Sequence, residues 1–173
     1  MKRYIVCSEQ ELSDFLELIF KCGDATRTII AGGTVSHDAM EALAYDPVVQ
    51  VRRALAKNFN ITADILEILS EDSDEGVLKS IARKPNITAD IAAKLAADDN
   101  YEVRIALARN SKTPEQVLDT LADDINNYVV EYVATNPNTS TDTLRHILNK
   151  SEYLYRLAGR YATIQLQSRG EVV

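Results

Sequence analysis

Apolar residues return along this chain with a period of 26. Val51, Val77, Val103 and Val129 are spaced by that interval, and each opens a similar stretch. These read Val51-Arg-Arg-Ala-Leu-Ala-Lys-Asn58, Val77-Leu-Lys-Ser-Ile-Ala-Arg-Lys84, Val103-Arg-Ile-Ala-Leu-Ala-Arg-Asn110 and Val129-Val-Glu-Tyr-Val-Ala-Thr-Asn136. One period upstream, Ala25 to Gly32 keeps the frame through Thr28, Ile29 and Ile30; one period downstream, Tyr155 to Ala162 keeps it loosely. A fixed period in the range of about 20–50 residues predicts a solenoid, whose units bury their apolar faces only against their neighbours. The expected fold is all-α: a right-handed α-solenoid of about six two-helix repeats of 26 residues, the last incomplete.

Within a repeat, Val51, Ala54 and Leu55 fall at i, i+3 and i+4 and share one face of a first helix. Ala56, Ala82, Ala108 and Ala134 beside that stripe admit a close neighbour. Asn58, Asn110 or Asn136 then ends the helix, read here as a left-handed C-terminal cap, and Pro85 or Pro137 marks the turn in two units. A second helix is expected to start near Thr62, Thr88, Thr113 or Thr139. Thr113-Pro-Glu-Gln116 is the clearest start signal, with a hydroxyl cap and proline at the first helical position. Leu43, Leu69, Leu95, Leu121 and Ile147 share one register, with Ile65, Ile91 and Val117 a turn earlier. Asp46, Asp72, Asp98 and Asp124 close the units. The helices are short enough for some to be wound as 3₁₀.

The ends depart from the period. Residues 1–24 read as a cap: a short extended segment at Arg3–Cys7, then a capping box at Ser8–Glu11 and a helix to Cys22 whose Leu12, Phe15, Leu16, Ile19 and Phe20 cover the first repeat. The solenoid is placed at 25–162, and 163–173 as a poorly ordered tail.

Charge adds a second layer. The net charge of −7 and an isoelectric point near 4.9 argue against general binding to nucleic acid or anionic membranes. No basic start with an apolar run, and no run of about 18–20 apolar residues, is present, so a cytoplasmic location is expected. Cys7 and Cys22, the only cysteines, then read as reduced thiols. Asn60-Ile-Thr62, Asn86-Ile-Thr88 and Asn138-Thr-Ser140 match the glycosylation acceptor pattern only because the repeat recurs.

The pattern Val-Arg-x-Ala-Leu-Ala-x-Asn, a turn with Thr-Pro, then Leu-x-x-Leu-Ala-x-Asp resembles the leucine-rich repeat variant family. It is clearest over Val103 to Asp123 and extends over about Ala25 to Ala162. The resemblance implies a HEAT-like α-solenoid, although members commonly use about 24 residues per repeat. One member carries an iron–sulfur cluster on a separate cysteine-rich segment. Two cysteines fall short of the four thiolates such a cluster usually needs, so no cofactor is expected. A HEAT-like solenoid also implies a ladder between loop aspartates and first-helix arginines, which Asp46/Arg52 and Asp98/Arg104 fit and Leu78 and Val130 interrupt.

No catalytic constellation is visible, and the chain is expected not to be an enzyme. His37 and His146 lie in second helices out of register; Asp72–Gly76 lacks the later glutamate of a calcium loop; Gly32-Gly33 stands without a phosphate loop. No metal site is expected. The surface offers more. One register carries Arg27, Arg53 and Lys79, and the register one turn on carries Lys57, Arg83 and Arg109. Stacked, these form two basic columns. Outward positions of the second helices are acidic: Asp38, Asp64, Asp90 and Asp142, then Glu41, Glu67 and Asp119. Tyr101 and Tyr153 recur at twice the period, and tyrosine suits interfaces. The expected function is a non-catalytic protein–protein interaction surface that attracts an acidic partner segment through Arg27, Arg53, Lys57, Lys79, Arg83, Arg109, Tyr101 and Tyr153. Two alternatives are nucleic-acid binding through the same basic columns or, with the charges inverted, an acidic DNA mimic whose acidic columns inhibit a DNA-binding protein. A solvated charged face and an irregular terminal core are the bland readings of the same residues.

Overall fold

A computed structural model describes residues 23–150 and 156–173, which are all-helical. The expected N-terminal cap and Tyr153 lie outside the described residues. Two compact units divide the chain at Leu69/Ser70. The first holds α1 (Asp24–Gly32), α2 (His37–Ala44), α3 (Val49–Lys57) and α4 (Ala63–Leu69). The second holds α5 (Glu75–Ala82), α6 (Ala89–Ala96), α7 (Tyr101–Ala108), α8 (Glu115–Leu121), α9 (Asn127–Thr135), α10 (Thr141–Lys150) and α11 (Arg156–Ser168). All are α-helices; no 3₁₀ helix and no strand occurs among the described residues.

In the second unit α5 packs on α7, α7 on α9 and α9 on α11 in one row, α6 packs on α8 in another, and α10 packs on α11. In the first unit α1 packs on α3 and α2 on α4. The apolar period is the cause. Val77, Val103 and Val129 are fully buried, as are Ile81, Leu107 and Val133 one turn on. Ala82, Ala108 and Ala134 are also fully buried, where a larger side chain would hold the rows apart. Leu95 and Leu121 close the row of second helices. Each such leucine stabilises by roughly 1.5–3 kcal/mol relative to its exposed state.

Between helices, polar side chains satisfy the backbone in a repeated way. The carboxylates of Asp46, Asp72, Asp98 and Asp124 accept from the amides of Val48, Asp74, Asn100 and Asn126, all at 2.8–2.9 Å. Asp74, Asn100 and Asn126 in turn cap the next helix, accepting from Val77, Glu102 and Tyr128. The acidic stretch at Asp72–Gly76 is therefore such a turn.

The asparagines do something other than the expected left-handed cap. No non-glycine residue among those described has a positive φ, and Asn58 and Asn136 have φ of −58° and −72°. Their side chains tie successive repeats instead. The Asn110 amide donates to the carbonyls of Ala82 (2.8 Å) and Lys84 (2.9 Å). Asn136 donates to Ala108 (2.7 Å) and Asn110 (2.9 Å), and Asn58 to Ala31 (2.9 Å) and Gly33 (2.6 Å). Each Oδ1 accepts from the amide two residues on. Lys84 holds this register in α5's repeat; it is buried, and burial pushes its ammonium below the usual lysine range.

Three further expectations are corrected. Thr113 does not cap α8: it is fully buried and donates to the Leu107 carbonyl at 2.6 Å, leaving Pro114 at the cap position. Thr139 repeats this with Val133 at 2.6 Å. Both continue a register that holds Ile61 and Ile87 in the earlier repeats, so each hydroxyl must find a partner inside the core. The segment 163–173 is not a loose tail. α11 runs to Ser168, Leu166 is fully buried, and Gly170 at φ 79° ends the helix, with Glu171 N–H reaching the Leu166 carbonyl at 3.1 Å. Arg169 then donates to the Thr139 carbonyl at 2.8 Å.

The third correction is a slip of the frame in α1. Arg104 binds the Asp124 carboxylate twenty residues on through Nε at 2.6 Å, whereas Arg27 binds Asp46 nineteen on at 2.7 Å. Asn110 and Asn136 reach back 28 and 26 residues, but Asn58 reaches back 27 and 25. Both patterns place α1 one residue out of the later frame. Arg27 thus takes the place of Arg104, not of Arg53.

Candidate functional site

The slip removes Arg27 from the basic column. It is 8% exposed and held between Asp46 and Asp24 (2.7 and 2.8 Å), which raise its pKa, the Asp46 hydrogen bond foremost. The expected Asp46/Arg52 and Asp98/Arg104 carboxylate pairs also differ. Arg52 and Arg104 donate to the backbone carbonyls of Asp46 and Asp98 at 2.8 and 2.7 Å. The carboxylate partner of Arg104 is Asp124, at the other end of its repeat, and that pair is nearly buried. Where arginine is absent, Leu78 and Val130 fill the position and are buried.

The other predicted cations fall into three states. Arg53 is half-buried on α3, and Lys79 on α5 is tied to Glu75 at 3.3 Å within its own helix. Lys57 is exposed at the end of α3 in the first unit. Arg83 and Arg109, at the ends of α5 and α7, are brought together. They line one depression of about 610 Å³, with Ala106, Asn110 and Ser111. Neither makes an ion pair among the described residues, whereas Arg27, Arg104 and Arg145 all do. No carboxylate among the described residues lines the depression.

Tyr132 on α9 stacks on one of these arginines: the Arg109 guanidinium carbon stands 5.0 Å from its ring centroid. Such a stack attracts by about 0.5–1 kcal/mol at an exposed site and limits the arginine's freedom. The tyrosine bias of the last two repeats marks Tyr132, but not its stack on Arg109; Ala54, Ser80, Ala106 and Tyr132 share one register. The signal was the size jump from alanine and serine to tyrosine within that register. Tyr101 and Tyr128, at the starts of α7 and α9, are 44% and 62% exposed.

The acidic positions of the second helices are partly consumed in bracing. Asp64 on α4 binds His37 of α2, and Asp119 on α8 accepts from the Thr143 hydroxyl on α10. Asp123 takes both His146 (2.7 Å) and Lys150, and Glu71 takes Lys94. Thr62 and then His37 hold the Asp64 carboxyl at about 2, and Asp64 raises the His37 pKa. Lys150, then His146, lowers that of Asp123. Asp38, Glu41, Glu67, Asp90 and Asp142 are exposed. A second depression of about 460 Å³ beside Asp98, Asp99 and Ile125 contains Arg104, already engaged by Asp124.

Among the described residues, no group of three or more His, Cys, Asp or Glu side chains is placed to hold a metal ion, and no helix is long and apolar enough to cross a membrane. Comparison with known protein families, with characterised proteins and with solved structures finds no match.

Proposed function

We propose that this chain is a non-catalytic protein-interaction module. Its repeats form an α-solenoid of leucine-rich-repeat-variant type, and the outer face of the first helices binds an acidic segment of a protein partner. One observation carries this reading: in a chain of net charge −7, two neighbouring arginines share a depression without a carboxylate partner among the described residues. Fold stability does not require their charges, since the repeats are held by the apolar rows and the asparagine bonds. Tyr132 behind Arg109 and the exposed Tyr101 and Tyr128 supply ring surface of the kind common in protein interfaces.

Nucleic acid would use the same arginines. The protein reading is favoured because the acidic balance repels a polyanion, and because the cationic registers give way to Ile105 and Glu131 in one and to Thr135 in the other. The test is fluorescence anisotropy with a labelled glutamate-rich peptide at low ionic strength. Binding is expected, weakened about tenfold or more by Arg83→Glu and by Arg109→Glu. Arg160→Glu, an exposed residue outside the depression, controls for net charge. Equal loss from all three variants would mean that only overall charge matters, and the site assignment would fall.

A further inference from the structure

We infer that the Arg83–Arg109 depression is built for a dianionic oxyanion on an extended peptide: a phosphorylated side chain in preference to a carboxylate. This rests on the reading above and narrows it.

The two guanidiniums come from the same register of adjacent first helices, α5 and α7, which pack directly together. Packed helices lie about 8–10 Å apart, a gap that two arginine side chains close from either side around one anion. Each guanidinium offers a planar fork of donors, and paired forks suit the several acceptor oxygens of a phosphate. A carboxylate carries one charge and satisfies one fork. A phosphate monoester carries about −1.5 to −2 at neutral pH and answers both cations.

The surroundings agree. Asn110 cannot take part as a donor, since its amide is committed to Ala82 and Lys84; it fixes instead the loop carrying the exposed Ser111, which also lines the depression. Ala106, between the arginines, is 1% exposed and leaves the floor without bulk or charge. Tyr132 acts as a positioning residue, holding Arg109 by its ring face without its hydroxyl. At about 610 Å³ the depression exceeds one phosphate group, and the remainder admits flanking backbone, which favours a peptide over the free anion. On the α9 side the registers continue as Glu131 and Thr135, which opposes a long polyanion such as a nucleic acid strand.

The experiment uses three labelled peptides of one glycine–glutamate sequence with phosphoserine, glutamate or serine at the centre. Inorganic phosphate serves as competitor and a single-stranded oligonucleotide as a separate probe. The phosphoserine peptide is expected to bind about tenfold or more tightly than the glutamate peptide. Arg83→Gln and Arg109→Gln should each abolish that preference while leaving the melting midpoint unchanged. Tyr132→Phe keeps the ring and should keep the preference; Tyr132→Leu should reduce it. Weak competition by phosphate is expected. If the glutamate peptide binds as tightly as the phosphoserine peptide, the dianion assignment is wrong and the acidic-partner reading stands. If neither binds, both are wrong. Displacement by phosphate at the peptide's own affinity would make the site one for the free anion. Tighter binding of the oligonucleotide with the same arginine dependence would overturn both readings in favour of nucleic acid.

Discussion

The asparagine bonds between repeats make a sharp prediction at Asn110. Its side chain donates to Ala82 and Lys84 at 2.8 and 2.9 Å and accepts from Lys112 N–H at 2.9 Å. A net hydrogen bond of this kind is worth about 1 kcal/mol, and Asn110 is partly exposed, so Asn110→Ala should cost about 2–3 kcal/mol. For a chain of this size each kcal/mol lowers the melting midpoint by about 2–4 °C, giving a drop of roughly 4–12 °C. Asn110→Asp is the discriminating variant. Its carboxylate keeps the bond from Lys112 but points negative oxygen at two carbonyls that had been receiving hydrogens. Although closer in shape, it should be less stable than the alanine variant at neutral pH. Acidification below about pH 4 protonates the carboxyl, restores one donor and should close or reverse the gap.

Urea melts at neutral and acidic pH measure this, with hydrogen exchange to locate the damage. Exchange should quicken first where α5 meets α7. An Asp variant matching wild type at neutral pH would show that donation from the amide contributes nothing, and the account of how repeats are tied would fail with it.

Three other outcomes follow from the packing. Breaking the nearly buried Arg104–Asp124 pair through Arg104→Met should cost about 3–5 kcal/mol, and pairing it with Asp124→Asn, which removes the charge but keeps an oxygen for the Asn126 amide, should recover much of the loss in a double-mutant cycle read by denaturant melting. Leu107→Asp places an unpaired charge at a fully buried position and should cost several kcal/mol, whereas the exposed Arg83→Glu should stay within about 0.5 kcal/mol; equal thermal shifts would refute the assignment of inner and outer faces. The His37–Asp64 pair gives the first unit a pH signature. His37 is raised from 6.5, so its contribution is complete below about that pH and is lost as pH rises through the raised value. Asp64 is lowered from 3.8 to about 2, so its contribution is present above 3.8 and lost as pH falls towards 2. His37→Gln should flatten the alkaline limb of midpoint against pH, and a proton NMR titration of His37 reads the shift directly.

Much of the helix pattern was legible because the 26-residue period fixes which side chains meet a neighbour. Val103, Leu107, Leu95 and Leu121 are buried as that period requires. The errors arose where one residue type serves two physical roles. Asparagine at a helix end suits a left-handed cap and a side-chain bridge to the previous turn equally well, and only φ separates them. Threonine before proline reads as a cap until the preceding register shows that its neighbours are isoleucines. Arg27 was misplaced because α1 ends in Gly32 and Gly33 and lacks the asparagine that would have revealed the one-residue slip. Of the basic columns, the sequence pattern identified the Arg83 and Arg109 register but not which cations the fold uses up.

That division has a physical logic. The framework binds mainly backbone: the aspartate turns receive amides, the asparagines give to carbonyls, and the alanines let the rows close. None of these contacts reads the residues on the outer turn of a first helix. At the arginine register, Arg104 with its carboxylate alternates with buried Leu78 and Val130, and each alternative keeps the repeat packed. The register of Lys57, Arg83, Arg109 and Thr135 is exposed throughout and has no such duty. Charge retained in adjacent repeats there, in a chain that pairs Arg27, Arg104 and Arg145, is not needed to fold it. The Arg83–Arg109 site is therefore where a change should alter binding and leave melting untouched, while Asn110 beside it should do the reverse through the loop it holds.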